Sequence, residues 1–142
     1  MADKRRVLIL CTGNSARSQM AEGLLRHEAG DRFAVESAGT KPTFVRPEAV
    51  AVMKEAGIDI SGHRSKHVDE FAGLDFDYVV TVCDKAQESC PVFFGSAARL
   101  HRSFSDPAAA EGSEQERLAA FRKVRDELRA FLRAFASQRP KS

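Results

Sequence analysis

The sequence predicts a three-layer α/β domain, a four-stranded parallel sheet flanked by helices. Three observations carry this. Short continuous apolar runs of strand length alternate with segments whose apolar residues recur at helical spacing, the arrangement that yields a parallel sheet wrapped by right-handed crossovers. The runs at Val7–Leu10 and Tyr78–Val82 have no polar alternation, as expected of strands buried on both faces. The 142 residues suit one hydrophobic core and are too few for two, so residues 1–142 are read as a single domain.

The elements follow in order. Val7-Leu8-Ile9-Leu10 is the first strand, and it runs into a glycine-containing segment. From Ser18, the spacing of Met20, Ala21, Leu24 and Leu25 predicts a helix, with Gly30 as its stop. Phe33–Ser37 reads as the second strand, closed by Ala38-Gly39. Pro47 opens a helix through Val50, Met53 and Ala56 that ends at Gly57. After a connection at Asp59–Gly62, Lys66–Phe71 is expected to form one short helix. Tyr78–Val82 is the third strand and leads directly into Cys83, while Arg99-Leu100-His101 supplies a short last strand. From Ser113, Leu118, Phe121, Val124, Leu128, Phe131, Leu132 and Phe135 mark a long amphipathic helix, followed by a frayed tail at Gln138–Ser142. Neither an internal repeat nor a low-complexity segment interrupts the pattern.

Composition narrows the function classes. A net charge of +2, with no continuous stripe of basic and aromatic residues, argues against nucleic acid or an anionic membrane as partner. No run is long enough to cross a bilayer. Lys4, Arg5 and Arg6 precede an apolar stretch much shorter than that of a secretory signal, so a cytoplasmic location is expected, and separately a monomer. Three cysteines are an odd set, unlike the even set of a static disulfide framework. Their neighbours must decide whether they react, bind metal or merely fill space.

The segment Cys11-Thr12-Gly13-Asn14-Ser15-Ala16-Arg17-Ser18 joins a buried strand to a helix. Successive backbone N–H groups there can turn inward and form a nest for a tetrahedral oxyanion. Gly13 and Asn14 tolerate left-handed backbone angles, and Arg17 offers a planar fork for two oxygens. At the positive end of a helix the Cys11 thiol is expected to have a lowered pKa and to serve as a nucleophile. Ser18 either donates to the sulfur or caps the helix. In Asp106-Pro107, the residues alone read as a helix-capping aspartate with proline at the first helical position.

This Cys-x5-Arg-Ser loop, placed after an N-terminal buried strand, resembles the signature of low-molecular-weight tyrosine phosphatases and the related arsenate reductases. Nearly the whole chain shares the resemblance, which implies the corresponding fold. It also implies that Cys11 is the nucleophile, that Arg17 and residues 12–18 bind the anion, and that Asp106 protonates the leaving oxygen. A phosphatase needs no further thiol. Here Cys83 follows a strand end and Cys90 lies seven residues later, just before Pro91, which resembles the redox segment of thioredoxin-coupled arsenate reductases. By that resemblance Cys11 attacks arsenate, Cys83 releases arsenite by attacking the adduct, and Cys90 resolves the Cys11–Cys83 disulfide. Thioredoxin is then the expected reductant, and phosphate and sulfate are competing oxyanions. Were residues 83–90 a regular helix, a rise of about 1.5 Å per residue would put the two Cα atoms roughly 10 Å apart, beyond the limit of about 7 Å for a disulfide. The Asp84–Ser89 segment is therefore expected to unwind on oxidation.

A tyrosine phosphatase acting through a phosphocysteine on Cys11 is the alternative. Ala108 after Pro107, a single tyrosine at Tyr78 and the absence of tryptophan leave an aromatic clamp poorly supplied, which favours a small inorganic oxyanion. Some reductases of this type bind potassium; Asn14, Glu22 and Ser37 match that ligand set, but Arg64 and Lys66 stand where the other oxygen ligands are expected. Two fixed cations would replace a metal ion rather than coordinate it, so neither metal nor cofactor is expected, and Asn14 and Ser37 are read as loop supports. Two readings of other classes remain: an oxyanion or redox sensor without turnover, and a zinc site from the cysteines with His63, His67 or His101, whose spacings lack a paired knuckle.

Overall fold

The computed structural model describes residues 4–71, 73–83 and 97–137. The expected Asp84–Ser89 segment, Cys90 and the tail at Gln138–Ser142 lie outside the described residues. Four parallel strands form one sheet in the order β2-β1-β3-β4: β1 Arg5–Cys11, β2 Phe33–Gly39, β3 Tyr78–Thr81 and β4 Ala98–His101. β1 lies inside the sheet because Val7, Leu8, Ile9 and Leu10 have no exposed surface, so both of its faces must be covered. The chain leaves β1 toward β2 on one side and returns as β3 on the other. That reversal opens a crevice at the carboxyl ends of β1 and β3, where open parallel sheets bind their ligands.

Three helices are described: α1 Arg17–Ala29, α2 Pro47–Glu55 and α3 Glu114–Ser137. α3 turns Phe121, Val124, Leu128, Leu132 and Phe135 inward, at spacings of three and four that keep them on one stripe. Leu118 and Phe131, from the same periodicity, are only partly buried at its margin. Arg122 and Arg125 reach Glu55 of α2, and Arg129 and Arg133 reach Glu28 of α1, which fixes how α3 lies across the other two. A capping box starts α3: Glu116 N donates to Ser113 Oγ (3.1 Å) and Ser113 N to Glu116 Oε1 (3.2 Å).

Two local expectations change. The short helix expected over Lys66–Phe71 is a 3₁₀ turn at Val68–Phe71. Lys66 and His67 are drawn into extended backbone instead, because Gly39 N donates to Lys66 O (2.8 Å) and His67 bridges Gly39 in parallel register. Gly30 does end α1, but with φ −62° rather than in a left-handed turn, whereas Gly57 after α2 adopts φ +80° as a glycine stop should. Among the described residues no helix is long and apolar enough to cross a membrane.

Candidate functional site

The segment from Cys11 to Ser18 begins on the last residue of β1 and ends in the first turn of α1. Its carbonyls are tied away from the crevice: Thr12 O accepts from Lys41 N (2.9 Å), Gly13 O from Thr43 N (3.1 Å), Asn14 O from Ser65 Oγ (2.7 Å) and Ser15 O from Arg46 N (2.9 Å). A trans peptide points its C=O and N–H in opposite directions, so the N–H groups of Gly13, Ser15 and Ala16 turn toward the pocket that these residues line. At the start of α1 the N-cap is Ala16, which supplies no side-chain acceptor, and the first turn carries no acidic residue. The helix therefore leaves its leading amides and its positive dipole end for an external anion. Together these groups floor a pocket of about 320 Å³, lined by Cys11, Thr12, Gly13, Ser15, Ala16 and Arg17, with Asp106 on its rim.

Asn14 holds the loop in this shape. It alone among the described non-glycine residues has positive φ (+47°), and it is fully buried. Its Nδ2 donates to Ser18 Oγ (2.8 Å) and Ser37 Oγ (3.0 Å), while its Oδ1 accepts from Gln19 Nε2 (2.9 Å) and Lys66 N (2.8 Å). Asn14 and Ser18, expected to bind the anion, thus lie behind the pocket rather than on its surface. Ser18 does not cap the helix; its hydroxyl accepts from Asn14. Gly13 has no positive φ, so the left-handed turn falls on Asn14 alone. Gly39 is required for a different reason: a Cβ there would collide with Thr12 O and stand 2.9 Å from Asn14 N, so only glycine lets the end of β2 touch the loop.

Cys11 and Cys83 are both free thiols and both buried. They meet because β1 and β3 are adjacent and parallel, so each strand delivers its cysteine to the same end of the sheet. Thr12 Oγ1 lies 3.3 Å from Cys83 Sγ. The expected lowering of the Cys11 pKa is reversed in this arrangement. The hydrogen bond with the Cys83 thiol and burial push Cys11 up, and they outweigh the Arg17 charge and the Thr12 backbone N–H that pull it down. The lowering was expected from the helix end alone, and the effect of the neighbouring Cys83 thiol on the Cys11 proton was left out of it.

Arg17 Nη1 donates to Phe104 O (3.1 Å), and its Nη2 lies 3.8 Å from Asp106 Oδ2. Asp106 takes the capping position, because its Oδ1 accepts from Ala108 N (3.0 Å) at the start of the 3₁₀ turn Pro107–Ala109, while its Oδ2 faces Arg17. The cap aims the other oxygen at the pocket.

Behind the loop, Glu22 is buried and accepts from Ser37 Oγ (2.5 Å); Arg26 Nη1 lies 3.1 Å from it and Lys66 Nζ 3.5 Å. Asn14 and Ser37 act as hydrogen-bonding supports, as read from sequence. Of the two expected replacement cations only Lys66 serves, because the Arg64 side chain turns outward to Glu70 (2.6 Å). Arg26, one helical turn from Glu22, is the second cation. Among the described residues no group of three His, Cys, Asp or Glu side chains could hold a metal ion. His63 Nδ1 meets Gln19 Oε1 (2.9 Å), His67 Nδ1 accepts from Asp69 N (3.0 Å), and His101 Nδ1 meets Thr81 Oγ1 (2.7 Å).

Sequence reasoning missed the pocket wall formed by Thr43, Phe44 and Arg46. Phe44 is 55% exposed there, so an aromatic group does stand at the mouth. It comes from the β2–α2 connection, which carries no motif; Phe44 stands beside Val45, which packs against the core, and nothing in the sequence tells the two apart.

A strand-loop-helix anion cradle with a cysteine at its base and an Asp-Pro turn on its rim defines the class: residues 6–141 match the low molecular weight phosphotyrosine protein phosphatase family, to which the chain belongs. Within it, the chain is 46% identical to an arsenate reductase of Halalkalibacterium halodurans, covering 94% of this chain and 96% of that one. It is 45% identical to an arsenate reductase of Bacillus subtilis, covering 92% and 94%. A solved structure described as an arsenate reductase in the phosphate binding state superposes with a TM-score of 0.82 at 30% identity, covering 94% of this chain and 97% of that one.

Proposed function

We propose that this protein reduces arsenate to arsenite through successive disulfides of Cys11, Cys83 and Cys90. The observation that carries the reading is that β1 and β3 bring two free thiols to one end of the sheet, Cys11 in the lining of the oxyanion pocket and Cys83 against the neighbouring Thr12 hydroxyl. Phosphate hydrolysis has no use for that second sulfur, and the resemblance to arsenate reductases supports the same choice.

In this mechanism arsenate lies in the amide ring, gripped by Arg17. The Cys11 thiol passes its proton to the bound oxyanion as its sulfur bonds to arsenic, and one arsenate hydroxyl leaves as water with a proton from Asp106. Cys83, already beside Cys11, attacks the Cys11 sulfur. A sulfur–sulfur bond forms, the sulfur–arsenic bond breaks, and its electron pair remains on arsenic, which departs as arsenite. The two thiols together supply the two electrons. Cys90 then displaces Cys11 from the disulfide, and the Cys83–Cys90 pair is reduced by an external dithiol, for which thioredoxin is the candidate. The reaction needs no metal or cofactor.

The test is arsenite release by the wild type and by Cys11→Ser, Cys83→Ser and Cys90→Ser, with thioredoxin and glutaredoxin systems compared. Each variant should lose multiple turnover. Full turnover by Cys83→Ser and Cys90→Ser would reject the cascade and leave aryl phosphate hydrolysis at Cys11 as the function.

A further inference from the structure

The pocket holds a second guanidinium that the reaction above does not use. Arg46 lines it together with Cys11, Arg17 and Asp106. Its backbone is clamped, because Arg46 N donates to Ser15 O (2.9 Å) and Arg46 O accepts from Val50 N (3.2 Å) at the start of α2. Its side chain rests on the exposed Phe44 ring, with Cζ 5.4 Å from the centroid. Among the described residues no carboxylate pairs with it, whereas Arg17 faces Asp106 and Arg64 faces Glu70. The difference matters physically. A carboxylate partner would cancel the charge, but an aromatic face orients a guanidinium and leaves its N–H edge and its charge for a ligand.

We propose that Arg46, propped by Phe44, is a substrate-capturing residue that binds the doubly charged oxyanion at the pocket mouth and sets affinity for it. This rests on the reading of the pocket as an arsenate site. Arg17 at the floor is partly offset by Asp106, so among the described lining residues a dianion entering the pocket meets one uncompensated cation, Arg46, which draws it inward. Arg46 thus acts on binding, whereas Cys11 and Asp106 act on the chemical step.

Calorimetric titration with inorganic phosphate tests the idea without any redox step. Arg46→Gln keeps the backbone clamp and most of the side-chain stem; it should raise the phosphate Kd about tenfold, the usual scale for losing one charge-assisted contact. Arg46→Lys should recover most of that loss, and Phe44→Leu, which removes the prop but not the charge, should cost a smaller factor of roughly two to three. Raising the salt concentration should narrow the gap between wild type and Arg46→Gln. In turnover with arsenate, Arg46→Gln should raise KM by the same factor and leave kcat within about twofold. An unchanged phosphate Kd in Arg46→Gln, a lysine variant as weak as the glutamine one, or a fall in kcat without a rise in KM would each overturn the proposal. If Arg46→Gln melts early, Phe44→Leu and Arg46→Lys still decide through their phosphate affinities. Should the wild type bind phosphate yet release no arsenite, the reductase reading fails while the phosphate comparison still judges Arg46.

Discussion

Replacing Asn14 by alanine should be among the most damaging single changes outside the reacting groups, and its size can be worked from the contacts. Four side-chain hydrogen bonds disappear, to Ser18, Ser37, Gln19 and the Lys66 backbone. Ser37 keeps Glu22, and Gln19 keeps the Asn14 and Arg64 carbonyls, but the buried Ser18 hydroxyl and the part-buried Lys66 N–H lose their contact to Asn14. Orphaning a buried polar group costs about 1–3 kcal/mol, and alanine at φ +47° adds roughly 1 kcal/mol of backbone strain. The sum is about 2–4 kcal/mol. With an unfolding entropy of about 2.1 cal/mol/K per residue over 142 residues, that lowers Tm by roughly 7–13 °C. Scanning calorimetry measures this directly, and Asn14→Gly serves as the control, since glycine relieves the strain but not the lost bonds. The glycine variant should recover about 1 kcal/mol. A Tm drop in Asn14→Ala of less than about 3 °C, or no difference between the two variants, would show that the loop holds its shape without Asn14.

Three further outcomes are expected. Cys83→Ala removes the hydrogen bond that most strongly pushes Cys11 up, so the pH midpoint for alkylation of Cys11 by iodoacetamide should move down; an unmoved midpoint would place the cause elsewhere. Gly39→Ala drives a Cβ against Thr12 O and Asn14 N, backbone atoms that cannot swing aside, and should cost about 1–3 kcal/mol by urea unfolding while weakening phosphate binding; wild-type phosphate affinity would contradict the close fit. The third concerns His63, whose pKa burial pushes below the usual 6.5, opposed by Glu22 and assisted by Arg26 and Lys66. The unfolded chain therefore takes up this proton first as pH falls. Stability from this group is complete above pH 6.5 and declines as pH drops below it toward the folded value. In His63→Gln, the loss of unfolding free energy between about pH 7 and 5 should be shallower than in the wild type; parallel curves would mean that other groups set the slope.

Much of the molecule follows from local chemistry. Val7–Leu10 admits little but a strand covered on both faces, and the periodicity of Phe121, Val124, Leu128 and Leu132 fixes a helix with one buried stripe. Cys11 and Arg17 were legible because the chemistry of an anion loop demands those residue types at fixed spacing, whereas Asp106 was singled out only by the family resemblance of its Asp-Pro pair. Other features depend on residues far apart in sequence. Lys66 is extended rather than helical because Asn14 and Gly39 claim its backbone groups across the fold. The Cys11 thiol is raised rather than lowered because the adjacent strand brings a second sulfur to it, which no spacing reveals. Phe44 and Arg46 reach the pocket because their loop is hydrogen-bonded along the anion ring. Sequence by itself determines what depends on neighbours along the chain: helical and strand periodicity, turn chemistry and the reactive loop. Tertiary structure alone decides which distant groups share a low-dielectric pocket, and charge and proton affinity respond to those neighbours rather than to the residue's own type.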